Sequence, residues 1–364
     1  MVTGTRREVL MAGIAVTAGI AAGGMWSAQV GTPDKFRVAV TGDFENLAMK
    51  LAPWGTLGED AEVVAFTRPF GSAHETVKAL REFDAIALMH ERVPLTRKLI
   101  EQLPRLKFIV FSGNRDETLD DRAAAERNII VCKSSPNFDV LRDAPGGESP
   151  SELAIALLMG CTWKTGPATA LIRQGCWAFE PGVPLRLKTL GVLGYGGIGR
   201  PVARVAVALG MKVLVFDRSL TDATACAENV MRADLDTLLR RSDVISIHLP
   251  LNASTRGMIG AQQIAAMKDG VIVINTARAS IIDEKSFIEA LRTRKISMAG
   301  LDVYWEEPLP RHHPLKHLPN VVMTPHIGYA TEETMRVRYR GLLETLTEYR
   351  KGNIVDRYLS ESTT

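Results

Sequence analysis

From Phe36 onward the chain alternates between short apolar runs and longer amphipathic stretches. "FRVAV", "AEVVAF", "DAIALM", "KFIVF" and "NIIVC" are brief and rich in β-branched residues. That is the pattern of strands buried on both faces. Between several of them, "SAHETVKALREF" and "PLTRKLIEQL" carry apolar positions at helical spacing. Strand alternating with helix predicts a parallel sheet covered on both sides. Pro and Gly then crowd between residues 136 and 150, which reads as a crossing between domains. An apolar helix, "ELAIALLMGCTW", leads into a second alternation: "TLGVLG", "KVLVF", "DVISIHL", "GVIVIN", "MAGLDV" and "NVVMT". Thr331 to Lys351 reads as one helix that returns to the first domain. Its early Glu332 and Glu333, late Arg350 and Lys351, and the stop at Gly352 suit the helix dipole.

Composition narrows the classes. With 364 residues, 46% of them hydrophobic, there is material for two cores. The net charge of +3 comes from dispersed Lys and Arg, with no basic run, so a nucleic-acid partner is not expected. The four cysteines (Cys132, Cys161, Cys176, Cys226) form no C-x-x-C pair. Buried free thiols and no metal site are expected. The N-terminus differs: Arg6 and Arg7 precede an uncharged stretch from Val9 to Pro33, rich in Ala, Gly, Ile and Val. Residues 1–34 read as a twin-arginine export signal, implying a periplasmic protein with no stable membrane contact unless the signal stays uncleaved. The alternative is a tail on a cytoplasmic protein.

One loop carries the first chemistry. Gly194, Gly196 and Gly199 stand at G-x-G-x-x-G spacing, directly after the strand pattern "TLGVL" and before the helical "IGRPVARVAVALG". In that context the glycines allow a tight turn, close backbone approach to a pyrophosphate, and close helix–strand packing. Free N–H groups at the helix start would bind the phosphates. The next strand ends at Asp217, the distance expected of an acid that bonds the adenosine ribose. It favours NAD over NADP, with adjacent Arg218 leaving strictness open. The expected architecture is α/β: two Rossmann-like doubly wound parallel-sheet domains across a cleft. Residues 149–327 form the NAD-binding domain, and 35–148 plus 328–364 form the substrate domain.

"NTARASIIDE" (275–284), "GLDVYWEEP" (300–308) and "MTPHIGY" (323–329) each place polar groups just beyond a predicted strand, where ligands bind in parallel sheets. With these stretches, and with "SDVISIHLPL" and "STRGMIG", the chain after residue 34 resembles the D-isomer-specific 2-hydroxyacid dehydrogenases. The resemblance implies a catalytic Arg278, Glu307 and His326. Arg278 would grip the carboxylate of a small 2-oxo acid with its planar fork. His326 would give or take the proton of the reacting oxygen, with Glu307 favouring the protonated ring. It also implies cofactor contacts from Tyr195, Gly197 and Ile198 in the glycine loop, Leu249, Pro250 and Thr255, Thr276 and Ala277, and Asp302 and Gly328. "FSGNRDETLD" would present backbone N–H groups of Gly113 and Asn114 to the substrate carboxylate, with Arg115 a further candidate. "MHERVP" would bring Arg92 to an anionic substrate. His248 would line the adenine side, and a homodimer is implied.

Two departures from the family pattern bear on activity. Ala279 stands where glycine is usual. If that position needs positive φ, alanine costs on the order of 1 kcal/mol. "SGNRDETLD" also lacks the second glycine common in that loop. The alternative function is an NAD(H)-sensing binding protein of the corepressor type. His312, His313 and His317 read as an exposed Pro-rich loop.

Overall fold

A computed structural model describes residues 35–358, apart from 114, 115, 117, 135–148 and 179. The proposed signal, most of the 136–150 crossing, and the candidates Asn114 and Arg115 lie outside the described residues.

The first sheet contains β1 (Phe36–Thr41), β2 (Ala61–Ala65), β3 (Ala85–Leu88), β4 (Phe108–Ser112) and β5 (Ile130–Ser134) in the order β2-β1-β3-β4-β5. All its pairings are parallel. β3 and β4 are buried along their whole length, which is why they read as unbroken apolar runs. The second sheet contains β6 (Thr189–Leu193), β7 (Lys212–Phe216), β8 (Met231–Arg232), β9 (Val244–Ile247), β10 (Val271–Asn275), β11 (Ile296–Leu301) and β12 (Val321–Met323). Its order, β12-β11-β10-β9-β6-β7-β8, is again all parallel. In each sheet the winding reverses once, between β1 and β3 and between β6 and β9. Such switch points open a crevice at the carboxyl ends of the strands. The two-residue, exposed β8 is too short to register as an apolar period.

The helix Ser149–Thr162 packs on β10, β11 and the helix Gly199–Ala208. The predicted helix "PLTRKLIEQL" shortens to Arg97–Ile100. Pro94 and Pro104 bracket it, and the residue before a proline is disfavoured in the α region. The helix Glu332–Arg350 starts on Thr331, whose side chain accepts from Thr334 N–H, a cap worth about 1 kcal/mol. It packs on β4 and β5 of the first sheet and buries Met335, Tyr339, Leu342 and Leu346 completely. Each such side chain contributes roughly 1.5–3 kcal/mol. The Tyr339 hydroxyl donates to Asp43 Oδ1 at 2.7 Å. The same oxygen accepts from the N–H groups of Leu47 and Ala48, so the last long helix holds the loop after β1. Of the thiols, Cys132 and Cys161 are buried as expected, whereas Cys176 and Cys226 are exposed. Cys176 lies after the helix Thr165–Arg173, and Cys226 is on the exposed side of the helix Asp222–Ala227, whose one buried residue is Ala225.

Candidate active site

The glycine loop leaves β6 at its carboxyl end. Gly194 has φ +94, and a Cβ there would stand 2.8 Å from the His248 carbonyl oxygen. A Cβ on Gly199 would stand 2.0 Å from the Gly194 carbonyl oxygen. Neither position tolerates a side chain, whereas Cβ atoms on Gly196 or Gly197 would meet open space. The loop therefore closes tightly on itself and leaves its outer face bare for a ligand. The helix that follows begins at Gly199 with Ile198 at its N-cap, and no side chain caps it. A helix start without a side-chain cap suits anion binding, with Arg200 N–H already donating to the Gly196 carbonyl at 3.1 Å and Pro201 carrying no N–H. Tyr195 N–H donates to Asp217 Oδ2 at 2.8 Å, and Ser219 N–H and Oγ donate to Asp217 Oδ1 at 2.7 and 2.6 Å. Burial alone would raise the Asp217 carboxyl, but these bonds hold it below the ordinary aspartate value. It is an ionised acceptor at the end of β7, which fits a ribose hydroxyl pair and repels a 2′-phosphate.

Across the switch point, Leu249 and Pro250 follow β9. The Thr255 hydroxyl donates to the Pro250 carbonyl at 2.6 Å and accepts from Asn252 N–H at 2.9 Å, so it shapes this loop from within. His248 shares a hydrogen with Ser246 Oγ at 2.8 Å, and burial pushes it down to about 4. It is a neutral ring at neutral pH. The Thr276 hydroxyl after β10 is buried and has no partner among the described residues. An orphaned hydroxyl in this crevice suits a polar group of the nicotinamide half of a dinucleotide. The chain thus fits NAD at both ends of the cradle.

The three groups expected to react follow three strands, β10, β11 and β12. Asn275, the last residue of β10, accepts from Ala277 N–H at 3.0 Å and donates to the Arg278 carbonyl at 3.1 Å, pinning the turn that carries Arg278. Ala279 opens a short 3-10 turn, Ala279–Ile281, and is buried. It is not among the positive-φ residues, so the strain expected of alanine at this position is absent. The left-handed backbone falls on His326 instead, with φ +55, a conformation that costs a non-glycine residue roughly 1–2 kcal/mol.

Asp302 holds that strain in place. It is 1% exposed and accepts from Thr324 Oγ1 at 2.6 Å, Ile327 N–H at 2.8 Å and Gly328 N–H at 2.8 Å. Burial raises its carboxyl above the ordinary aspartate value despite these donors. The Gly328 N–H is therefore committed to Asp302, and the pair clasps both sides of His326. The His326 Nδ1 meets Glu307 Oε2 at 2.6 Å, and the other Glu307 oxygen accepts from Tyr304 N–H at 2.8 Å. Burial works to raise the Glu307 carboxyl, but the bond and charge of His326, with a contribution from the Arg278 charge, hold it below the ordinary glutamate value. Arg278 and His326 thus bear on the same carboxylate.

The first domain supplies the facing edge. Gly113 follows β4 with φ +136, a conformation suited to turning backbone N–H groups outward. Ser112 accepts from the buried Arg338 at 3.1 Å. Arg92 is held by Glu45 and Tyr329. Among the Pro-rich-loop histidines, His313 is tied to Glu284 at 2.8 Å. Among the described residues no group of three His, Cys, Asp or Glu could hold a metal ion. Asn275, Thr324, Tyr304, Glu45 and Tyr329 are the supporting residues that sequence reasoning missed. The asparagine in "NTAR" was the one legible signal, since Asn after a strand commonly bonds its own turn.

A glycine cradle after β6 and a bonded His326–Glu307 pair after β12 and β11 fit one class, the nicotinamide-dependent dehydrogenases. The chain belongs to the D-isomer specific 2-hydroxyacid dehydrogenase family. The family's NAD binding domain matches residues 155–328, and its catalytic domain matches residues 44–138. A hydroxypyruvate reductase of Thermotoga maritima is 38% identical over 268 residues, 72% of this chain and 83% of that protein. A D-3-phosphoglycerate dehydrogenase of Archaeoglobus fulgidus is 38% identical over 266 residues, 72% of this chain. The match spans about half of that longer relative, 48%. Among solved structures, the phosphoglycerate oxidoreductase of Vibrio cholerae superposes with a TM-score of 0.77 at 26% identity, over 87% of this chain and 99% of that one.

Proposed function

We propose that the protein interconverts a small D-2-hydroxy acid and its 2-oxo acid, with NAD as cofactor. The observation that carries this reading is the His326–Glu307 bond of 2.6 Å, within the charge influence of Arg278. The residues that would hold NAD are the loop Gly194–Gly199, Asp217, the Leu249–Thr255 loop, Thr276 and Ala277. When bound, the nicotinamide supplies or accepts the hydride at the carbonyl carbon. Arg278 holds the substrate carboxylate through a bidentate, charge-assisted contact. In reduction, protonated His326 donates to the developing alkoxide from Nε2, while Glu307 keeps Nδ1 protonated and the ring aimed. In oxidation, neutral Nε2 takes the hydroxyl proton. Gly113 would offer its N–H to the carboxylate side. Closing the two domains would exclude water from the reacting atoms. Relatives named hydroxypyruvate reductase, glyoxylate reductase and D-3-phosphoglycerate dehydrogenase support this substrate class.

Rapid mixing of NADH-loaded protein with glyoxylate, pyruvate and hydroxypyruvate tests this. Loss of the reduced-nicotinamide absorbance in the native protein, and its disappearance in His326→Ala, is the expected result. Tight NADH binding with no turnover of any acid would overturn it.

Two further parts of the reading rest on other features. Trp163 before the helix Thr165–Arg173, Ile172 within it and Trp177 after it are exposed, Trp177 at 93%. Exposed apolar side chains of this kind support a homodimer contact, and sedimentation equilibrium measures it. Arg6-Arg7 and the uncharged run to Pro33 support export through the twin-arginine route. Fractionation with an Arg6→Lys/Arg7→Lys variant retained in the cytosol is the expected signature.

A further inference from the structure

Arg92 lies one side chain from the proposed acid–base pair. Its guanidinium is stacked 5.8 Å from the Tyr329 ring centroid and 5.1 Å from that of Phe44, and the Tyr329 ring is 6.1 Å from the His326 ring. A cation at this edge of the cleft is placed to receive an anionic group on the far end of a bound acid. Four of its five N–H donors, however, are already taken. Nη1 donates to the Gly42 carbonyl at 2.6 Å and to Glu45 Oε2 at 2.7 Å. Nη2 donates to Glu45 Oε1 at 2.7 Å and to the Tyr329 hydroxyl at 2.5 Å. Each Nη carries two hydrogens, so both groups are saturated. Burial works to weaken the charge on Arg92, and Glu45 more than reverses this. Glu45 itself rides on the loop after β1, which Asp43 fixes through Leu47, Ala48 and Tyr339, so the carboxylate is delivered by a rigid turn.

We propose that Glu45 sets the charge selectivity of the substrate pocket: by neutralising Arg92 it admits 2-hydroxy acids whose only anion is the carboxylate and rejects those bearing a second anion, such as a phosphate ester. This deepens the dehydrogenase reading and rests on it. A second anion beside Glu45 meets like charge, and Arg92 cannot turn to it without breaking a bidentate pair. A neutral hydrogen, methyl or hydroxymethyl group meets no such penalty.

The test is calorimetric titration of the full chain loaded with NADH, using D-glycerate and D-3-phosphoglycerate. These form dead-end complexes with NADH, so affinity is read without turnover. The native protein is expected to bind glycerate at least tenfold more tightly. Glu45→Gln, which keeps the shape and removes the charge, is expected to raise the phosphoglycerate-to-glycerate affinity ratio tenfold or more. Glu45→Gln/Arg92→Gln is expected to lose that gain. Native protein that binds phosphoglycerate as tightly as glycerate or binds neither, a Glu45→Gln ratio within twofold of native, or a gain that survives in the double variant each overturns the proposal. Absence of 2-oxo acid turnover, with these affinity ratios intact, would count against the dehydrogenase reading and not against the role of Glu45.

Discussion

The His326 ring and the Glu307 carboxylate meet at 2.6 Å, although 19 residues separate them in the chain. The pair is held from both sides: Tyr304 N–H steadies the carboxylate, and Asp302 clasps the loop that carries the ring. Because Nδ1 is committed to Glu307, Nε2 is the nitrogen left to face a substrate. His326→Ala should therefore lower kcat for reduction by about 10²–10⁴. Glu307→Gln should lower it less, because the amide oxygen can still accept from Nδ1 but brings no charge. Steady-state rates for both variants check this.

Glu307 also links the site to stability. Its carboxyl is held below the ordinary glutamate value of 4.5 in the folded protein. A depressed carboxyl contributes stability that is present above the unfolded value and lost as pH falls through the folded one. In His326→Ala the main stabilising partner is gone and burial dominates. The variant's thermal deficit should be largest at pH 5 and above, and should shrink as the pH is taken well below 4.5. Melting curves at pH 6 and pH 3.5 decide it; an equal deficit at both would rule the linkage out.

Among the described residues the Arg278 side chain bonds only its own turn, Nη1 to the Ala277 carbonyl at 2.8 Å, and it is exposed. Its removal should cost binding more than folding. Hydrogen bonds to a charged group are worth roughly 1.5–3 kcal/mol. Arg278→Gln should therefore raise KM for the 2-oxo acid by about 10–100-fold, with a melting temperature close to native.

Asp302 faces three donors from within a buried site. An asparagine there turns an amide NH2 toward N–H groups and leaves donors unsatisfied, a loss of about 1–3 kcal/mol. Asp302→Asn should lower the melting temperature and also kcat, because the left-handed backbone at His326 loses its clasp. Reduced stability with native kcat would show that the clasp does not aim the ring.

Asp217 should govern cofactor choice. Asp217→Ala is expected to raise the NADPH-to-NADH ratio of kcat/KM by at least tenfold, since a buried-edge carboxylate opposes a 2′-phosphate. An unchanged ratio would assign the preference elsewhere.

The linear pattern carried a large share of this protein. Runs such as "KFIVF" and "GVIVI" are short, β-branched and bounded, so they can only be strands buried on both faces, and their alternation with helices forces parallel sheets. Glycine spacing between β6 and its helix was legible because backbone geometry there is local: a Cβ on Gly199 collides with Gly194 five residues away. Arg278, Glu307 and His326 were legible through the family resemblance of the stretches that carry them, each just beyond a strand.

Other features required distant chain to meet. The expectation of strain at Ala279 rested on residue type, and only the backbone shows that the left-handed residue is His326, restrained by a carboxylate 24 residues earlier. The pairing of Arg92 with Glu45 crosses 47 positions and is absent from any periodicity, yet it changes an apparent anion site into a neutral wall. The sequence by itself determined the strands and the glycine turn, because these follow from local sterics and burial. The tertiary structure alone decided which charges are free and which are compensated, because that depends on partners brought together across two β-strand ends.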